Sequence, residues 1–262
     1  RRITLSERTS FGMKWMLNLI PRPLLISMSI WFRPLIKLYF KGNQFTDPID
    51  GSSYRKFLSY GYQNLRENAL CPGTLSLERH RLLWLYLTRK TNFLNQSLKV
   101  LHIAPEQVFY TKFKAIKDWE YTTTDLHSPL ADIKADICAL PFNNDQYDLI
   151  FCNHVLEHIP DDKKAMEELY RVLKKGGTLI AQVPLNEELD ETFEDDTITD
   201  KKERTRIFGQ YDHVRVYGKD YYTRLNTVGF ESKGITFINT MSIEEIDRFG
   251  LPQKERIPVA VK

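Results

Sequence analysis

Two short runs decide the fold of this chain: Leu98-Lys99-Val100-Leu101-His102-Ile103-Ala104 and Tyr147-Asp148-Leu149-Ile150-Phe151-Cys152-Asn153. Both are apolar, of strand length and bounded by polar residues, which suits strands buried on both faces. Between them Asp125 and Asp136 each close a short extended segment, and beyond them lie Val155-Leu156-Glu157-His158-Ile159-Pro160 and Leu169-Tyr170-Arg171-Val172-Leu173. Working outward, the pattern predicts strand 98–104, helix 106–117, strand 120–125, short strand 133–137, strand 147–153, helix 161–174 and strand 177–183. Helix 219–228, stopped by Gly229, then leads to strand 230–238, and residues 257–261 form a last strand. Strands alternating with helices at this spacing imply an α/β domain, doubly wound around a mainly parallel sheet covered on both faces. Gly176-Gly177 reads as a helix stop and turn.

The remaining segments divide the chain. Residues 11–41 mix Trp15, Leu24, Leu25, Trp31, Leu35 and Tyr39 with Lys14, Arg22, Arg33, Lys37 and Lys41. That composition predicts short helices with one apolar side, broken at Pro21, Pro23 and Pro34. Residues 42–75 are rich in Gly, Asn, Ser, Asp and Pro and predict an irregular or hairpin module, followed by a helix over 76–88. The expected organisation is an N-terminal helical and irregular appendage (1–46, then 47–90) before an α/β domain over 91–262. Residues 186–210, highly charged, form an insertion over the carboxyl ends of the strands.

Charge and cysteine usage narrow the classes. A net charge of +3 over 262 residues does not by itself imply a nucleic-acid partner. Residues 1–46 hold eight Lys and Arg against Glu7 alone, about +7, which leaves about −4 for the rest. The three cysteines, Cys71, Cys138 and Cys152, form no paired framework, so a reducing, cytoplasmic setting is expected. The longest uncharged N-terminal run, Pro23 to Phe32, is far short of the roughly 20 residues that cross hydrocarbon. No small-residue cleavage site follows it, so it does not read as a signal peptide either.

In doubly wound sheets, ligands bind outside the carboxyl ends of the strands where strand order reverses. The loop leaving the first strand is His102-Ile103-Ala104-Pro105-Glu106, with no glycine. Glycines let backbone approach a ligand closely, and a dinucleotide pyrophosphate demands that approach, so this loop argues against a dinucleotide fold. The ordered set of segments over 98–240 resembles class I S-adenosylmethionine-dependent methyltransferases. Within them it looks like the bacterial branch with a His-Ile-Ala-Pro-Glu loop and a Leu-Glu-His tract after the fourth strand. The resemblance implies a Rossmann-like seven-stranded sheet and S-adenosylmethionine as cofactor. It places His102, Ala104, Pro105 and Glu106 in the first loop against that cofactor. Asp125, 23 residues after His102, is expected on both ribose hydroxyls, with Leu126 beside it. Asp136 and Ile137 are expected at the adenine, and Asn153 and His154 at the methionine end or the acceptor. For Asp125 the competing reading is a cap or turn carboxylate, and for Asp136 a loop carboxylate.

Methyl transfer from a sulfonium is an in-line displacement from an activated donor, so the protein supplies orientation and, where needed, proton removal. No metal is required for that, and no HExxH or Cys–His zinc pattern occurs in the catalytic half. His213, in Gly209-Gln210-Tyr211-Asp212-His213-Val214-Arg215, and His154 are the two candidate bases. In related enzymes a similar His-x-Arg segment borders the acceptor pocket, which makes Tyr211 and Arg215 candidate substrate contacts. The competing reading makes His213 a hydrogen-bonded residue that orders the insertion, and Glu157-His158 a packed helix start. The acidic run Glu187 to Asp196 reads as a solvated lid face.

Asp47-Pro48-Ile49-Asp50 and Cys71-Pro72-Gly73-Thr74 repeat one frame across 20 intervening residues. That is the spacing of a Cys-x2-Cys…Cys-x2-Cys zinc ribbon with three of four thiolates replaced. Relatives with the same first loop carry the intact cysteines, and the resemblance therefore implies a metal-free ribbon backbone here, with chance as the alternative.

The function these readings favour is methyl transfer to a small-molecule or lipid-linked acceptor. No nucleic-acid partner is expected. Residues 11–41 are expected either to pack over the domain or to touch a membrane peripherally, since Trp15, Trp31 and Tyr39 sit among cations. The rival classes are an enzyme using NAD or a nucleotide sugar, against which the missing Gly-x-Gly-x-x-Gly loop counts, and a non-catalytic module bound to a membrane or partner.

Overall fold

The computed structural model describes residues 34–61 and 65–262. The expected N-terminal helices up to residue 33 lie outside the described residues; residues 34–40 are helical. Two small hairpins follow: β1 (Lys41–Thr46) with β2 (Ser53–Tyr54), and β3 (Leu58–Tyr60) with β4 (Arg66–Leu70). Helix α1 (Glu78–Lys90) then leads into the sheet.

That sheet has seven strands: β5 (Leu98–Ile103), β6 (Trp119–Asp125), β7 (Ile133–Lys134), β8 (Tyr147–Cys152), β9 (Leu173–Ile180), β12 (Glu231–Ile235) and β13 (Ile257–Val261). Two further short strands outside it are β10 (Phe193–Glu194) and β11 (Arg215–Val216). The order is β12-β13-β9-β8-β5-β6-β7. Pairs from β7 through β9 are parallel, and β13 runs antiparallel to both β9 and β12. The doubly wound, mainly parallel seven-stranded sheet read from the sequence is the one observed. Strand order reverses at β5, so the crevice between the β5 and β8 exits is where such sheets take ligands.

The period-two alternation of the strands sends side chains to two cores. Leu101, Ile103, Ile150, Cys152 and Leu179 pack with Ala165, Met166 and Leu169 of α3 (Asp162–Val172). Val100, Leu149, Phe151 and Ile180 pack on the other face with Leu82, Leu83, Leu85 and Leu87 of α1 and Phe109 and Phe113 of α2 (Gln107–Lys114). Both faces are covered, which is why β5 from Val100 and β8 from Leu149 are buried to their ends.

Several elements differ from the sequence reading. Residues 186–210 hold regular structure: α4 (Lys201–Phe208) and β10, which pairs with β11. Asp200 caps α4 by accepting from the Lys202 and Glu203 N–H groups, and Gly209 ends it at φ 89°. Its charged face hid the helix, because exposed helices carry little apolar periodicity. The strand expected over 177–183 starts earlier, at Leu173, directly after α3, and its register slips against β8 between Tyr147 and Leu149. The other helices are α5 (Tyr221–Thr227) and α6 (Ile243–Phe249), the latter not anticipated.

Candidate functional site

The β5 exit resolves the missing glycine. Ala104 stands at φ 47°, the left-handed conformation that glycine takes freely, while its N–H donates to the Thr124 carbonyl (2.8 Å). The small methyl of alanine makes this tolerable where a branched side chain would not be. His154 at the β8 exit is also left-handed, at φ 54°, and its N–H donates to the Gln182 carbonyl (2.7 Å). Uncommon backbone therefore sits on both sides of the crevice, the kind of placement that accompanies functional sites.

The loop side chains do not all face that crevice. His102 is fully buried among Phe113, Tyr121 and Phe151 and shares a hydrogen bond with the Tyr121 hydroxyl (2.8 Å). Its expected cofactor contact is thus replaced by a core position on the α2 face. Pro105 is buried as well. Glu106 turns to a buried cluster: its Oε1 lies 2.9 Å from His80 Nε2, and Asn153 Nδ2 donates to its Oε2 (3.1 Å). Burial pushes the Glu106 carboxyl up, but the facing His80 and His102 outweigh it and hold the group well below the usual carboxylate range. His80 Nδ1 accepts from the Leu77 N–H (3.0 Å), so the neutral ring carries its proton on Nε2, toward Glu106. Asn153 also accepts from the Gln182 N–H (3.2 Å), tying the β8 and β9 exits to the start of α2.

Asp125 and Asp136 sit at the outer edge. Asp125 Oδ1 accepts from the His127 and Ser128 N–H groups (both 2.6 Å), a turn role, while its Oδ2 has no hydrogen bond among the described residues. Asp136 is exposed and accepts from the Cys138 N–H (2.8 Å). Leu126 is exposed, and Ile137 is buried in the core beside Leu140 and Phe142.

A cleft of about 790 Å³ opens at the β8 and β9 exits. Its walls are His154, Glu157, His158 and His213, with Tyr60 and Arg66 from the second hairpin, Glu78 and Arg79 from α1, and Glu255 and Arg256 before β13. The last six come from far apart in the chain, and no local motif marks them. Glu157 is 1% exposed, and its Oε1 lies 3.2 Å from His154 Nδ1. Burial pushes its carboxyl up, and the His154 contact more than reverses that. His213 Nδ1 meets the Phe208 carbonyl (3.0 Å), and burial lowers its proton affinity below that of free histidine.

The Tyr211–Arg215 segment divides. Tyr211 is exposed, with the Lys201 ammonium 5.8 Å from its ring centroid. Arg215, expected to border the acceptor, is instead buried: it donates to the Leu156, Ile159 and Pro160 carbonyls and pairs with Glu194 at 2.9 Å. It clamps the very turn that presents Glu157 and His158, a positioning task rather than a substrate contact.

The two repeated frames near the N-terminal hairpins are paired turns of one geometry. The Asp47 N–H donates to the Ser52 carbonyl and the Cys71 N–H to the Ser76 carbonyl (both 2.9 Å), with Gly51 and Leu75 left-handed at the matching position. Thr74 Oγ1 and Ser76 Oγ donate to Asp47 Oδ2, and Lys37 pairs with Asp50 at 2.5 Å. Burial pushes the Cys71 thiol up to about 11.

With the crevice and its strand order in place, comparison with known families becomes informative. Residues 93–181 match the family described as a methyltransferase domain. The matched segment spans β5 through β9 and both left-handed exits. Two uncharacterized proteins of Methanocaldococcus jannaschii are 27% and 36% identical to the chain over 110 and 92 residues, covering 42% and 34% of it. The chain spans only 50% and 40% of those relatives' lengths. Among solved structures, a SAM-dependent methyltransferase from Archaeoglobus fulgidus superposes with a TM-score of 0.47 at 13% identity, over 71% of this chain and 95% of that one. Among the described residues, no helix is long and apolar enough to cross a membrane.

Proposed function

We propose that the chain is an S-adenosylmethionine-dependent methyltransferase acting on a small-molecule or lipid-linked acceptor. The observation that carries this reading is the β5–β8 crevice with left-handed Ala104 at its edge, inside the segment that matches the methyltransferase-domain family. The residues present fit the cofactor. Ala104 brings backbone close without glycine, and Asp125 keeps a free carboxylate oxygen at the β6 exit for the ribose hydroxyls. Asp136 is free to meet the adenine edge. When bound, S-adenosylmethionine supplies a methyl group already activated as a sulfonium. What remains for the chain is to hold the acceptor in line from the 790 Å³ cleft and to take its proton.

Of the three histidines that line that cleft, His213 and His154 are the candidate bases. His213 gives its Nδ1 proton to the Phe208 carbonyl, so its Nε2 lone pair is open, and its lowered proton affinity keeps it neutral at pH 7. The exposed Leu35, Leu38 and Tyr39 favour an apolar or lipid-linked acceptor delivered near a bilayer. Replacing each histidine by alanine tests the base: a loss of at least about tenfold in turnover with unchanged cofactor affinity is expected for one of them. Calorimetry with S-adenosylhomocysteine tests the whole reading, and no binding there would remove it. Liposome sedimentation at low salt, where basic contacts are least screened, tests the membrane contact.

A further inference from the structure

Glu157 and His158 are neighbours at the β8 exit, and His213 arrives 55 residues later on the segment before β11. One ligand atom from each lies within 4.8 Å of those of the other two. All three line the cleft. We propose that Glu157, His158 and His213 form a divalent transition-metal site whose open positions face the acceptor cleft.

Three independent features support a site rather than a chance cluster. First, Glu157 is 1% exposed, yet its Oε2 has no hydrogen-bond partner among the described residues. A buried carboxylate oxygen left bare is costly, and a cation at that point satisfies it. Second, both imidazoles are oriented from behind. His213 Nδ1 is held by the Phe208 carbonyl (3.0 Å), and His158 Nδ1 by the Asp212 carbonyl (3.3 Å) with Asp212 Oδ2 at 3.5 Å. Metal-ligating histidines show this arrangement, one nitrogen anchored to an oxygen and the other bare. Third, the backbone carrying the cluster is pinned. Val214 N–H donates to the Glu157 carbonyl (2.9 Å), and buried Arg215 gathers the Leu156, Ile159 and Pro160 carbonyls. The two rings stand edge to face, 4.7 Å between centroids, so little motion is needed to converge them on one ion.

The donor set names the ion class. Two imidazoles and one carboxylate suit zinc and neighbouring first-row ions, whereas magnesium takes oxygen ligands and water. Three protein ligands leave at least one coordination position, as in catalytic zinc sites. An acceptor hydroxyl or thiol bound there would lose its proton more readily, since a cation favours the anionic oxygen or sulfur. His213 would then serve as ligand. His154, whose Nε2 has no hydrogen-bond partner among the described residues, is left to receive the proton. This assignment of roles rests on the methyltransferase reading; the metal site itself does not.

The test is equilibrium dialysis of the chelator-treated full chain against Zn²⁺, with Mg²⁺ in a parallel arm. One Zn²⁺ equivalent is expected, and Glu157→Gln, His158→Asn and His213→Ala should each weaken its retention by at least about 100-fold, beyond what losing a supporting partner alone costs. His158 is partly exposed, so His158→Asn carries the test if His213→Ala fails to fold, with S-adenosylhomocysteine affinity and the urea midpoint as folding controls. Equal retention in wild type and folded variants, absence of the equivalent in wild type, or preference for Mg²⁺ would overturn the site. Zinc held without S-adenosylhomocysteine binding keeps the site and removes the methyltransferase reading; cofactor binding with no zinc does the opposite.

Discussion

Two acid–histidine clusters stand at the exits of neighbouring strands, and they are built to opposite ends. Glu106, after β5, meets His80 Nε2 at 2.9 Å and accepts from Asn153, and it lies behind the crevice wall. Glu157, after β8, meets His154, keeps one oxygen without a hydrogen bond among the described residues and opens onto the cleft. Both are buried carboxylates among histidines. Each carboxylate has one oxygen without a hydrogen bond among the described residues. What differs is the surroundings. The Glu106 oxygen is closed off by His80, so that cluster joins α1, the start of α2 and the β8 exit, whereas Glu157 lines a cleft with room for a ligand.

The largest effect expected from this contrast is on stability. Glu106→Ala leaves His80 and Asn153 without their shared acceptor and should cost about 2–3 kcal/mol, the upper range for lost hydrogen bonds to a charged group. Glu157→Gln, which disturbs a single contact, should cost no more than about 1 kcal/mol. Urea unfolding of the two variants measures both, and equal losses would erase the distinction.

On the cofactor side, Asp125→Ala should weaken S-adenosylhomocysteine by more than about 1.5 kcal/mol, the scale of a hydrogen bond to a charged group. Its turn bonds to His127 and Ser128 complicate a stability readout, so affinity by calorimetry is the sharper measurement. Unchanged affinity would return Asp125 to the turn role alone.

Smaller effects come from backbone at the crevice edge. Ala104→Val should lose about 1–2 kcal/mol, because a β-branched residue at positive φ is strained. Ala104→Gly should stay within about 0.5 kcal/mol of wild type, relief of strain offsetting the freer unfolded chain. A destabilised glycine variant would show that the methyl packs rather than merely being tolerated.

The least of these effects is a pH slope. Burial lowers the His80 proton affinity in the folded chain, despite the facing Glu106. Its unfolded value is near ~6.5, so the unfolded chain binds more protons below that point and stability falls as pH drops through it toward the folded pKa. His80→Gln should flatten the fall in urea midpoint between about pH 7 and pH 5. An unchanged slope would assign it to other groups.

How much of this was legible in the residues differs by element. The central strands were, because Val100–Ile103 and Leu149–Cys152 are apolar apart from His102 and point to both faces, and only a doubly covered sheet accommodates that. Helix α4 was not, since five of its eight residues are charged and only Phe208 is buried. Sequence also singled out Asp125, His154 and His213 by position, yet it assigned His102 and Arg215 to the site, where the structure puts them in the core and under a turn. A side chain's direction at a strand end depends on what packs over it: here α2 covers His102, while the 156–160 turn and Glu194 hold Arg215.

The amino-acid order alone determined the α/β alternation, the strand exits and the absence of a glycine loop, because all three are local and follow from periodicity and side-chain type. Only the tertiary structure decided that Ala104 takes the glycine conformation. It alone brought Glu157 and His158 to His213 across 55 residues and set hairpin and helix residues as walls of one cleft. Those are consequences of chain closure. The distance between residues far apart in sequence is set by how the sheet and its insertions pack, and no local pattern encodes it.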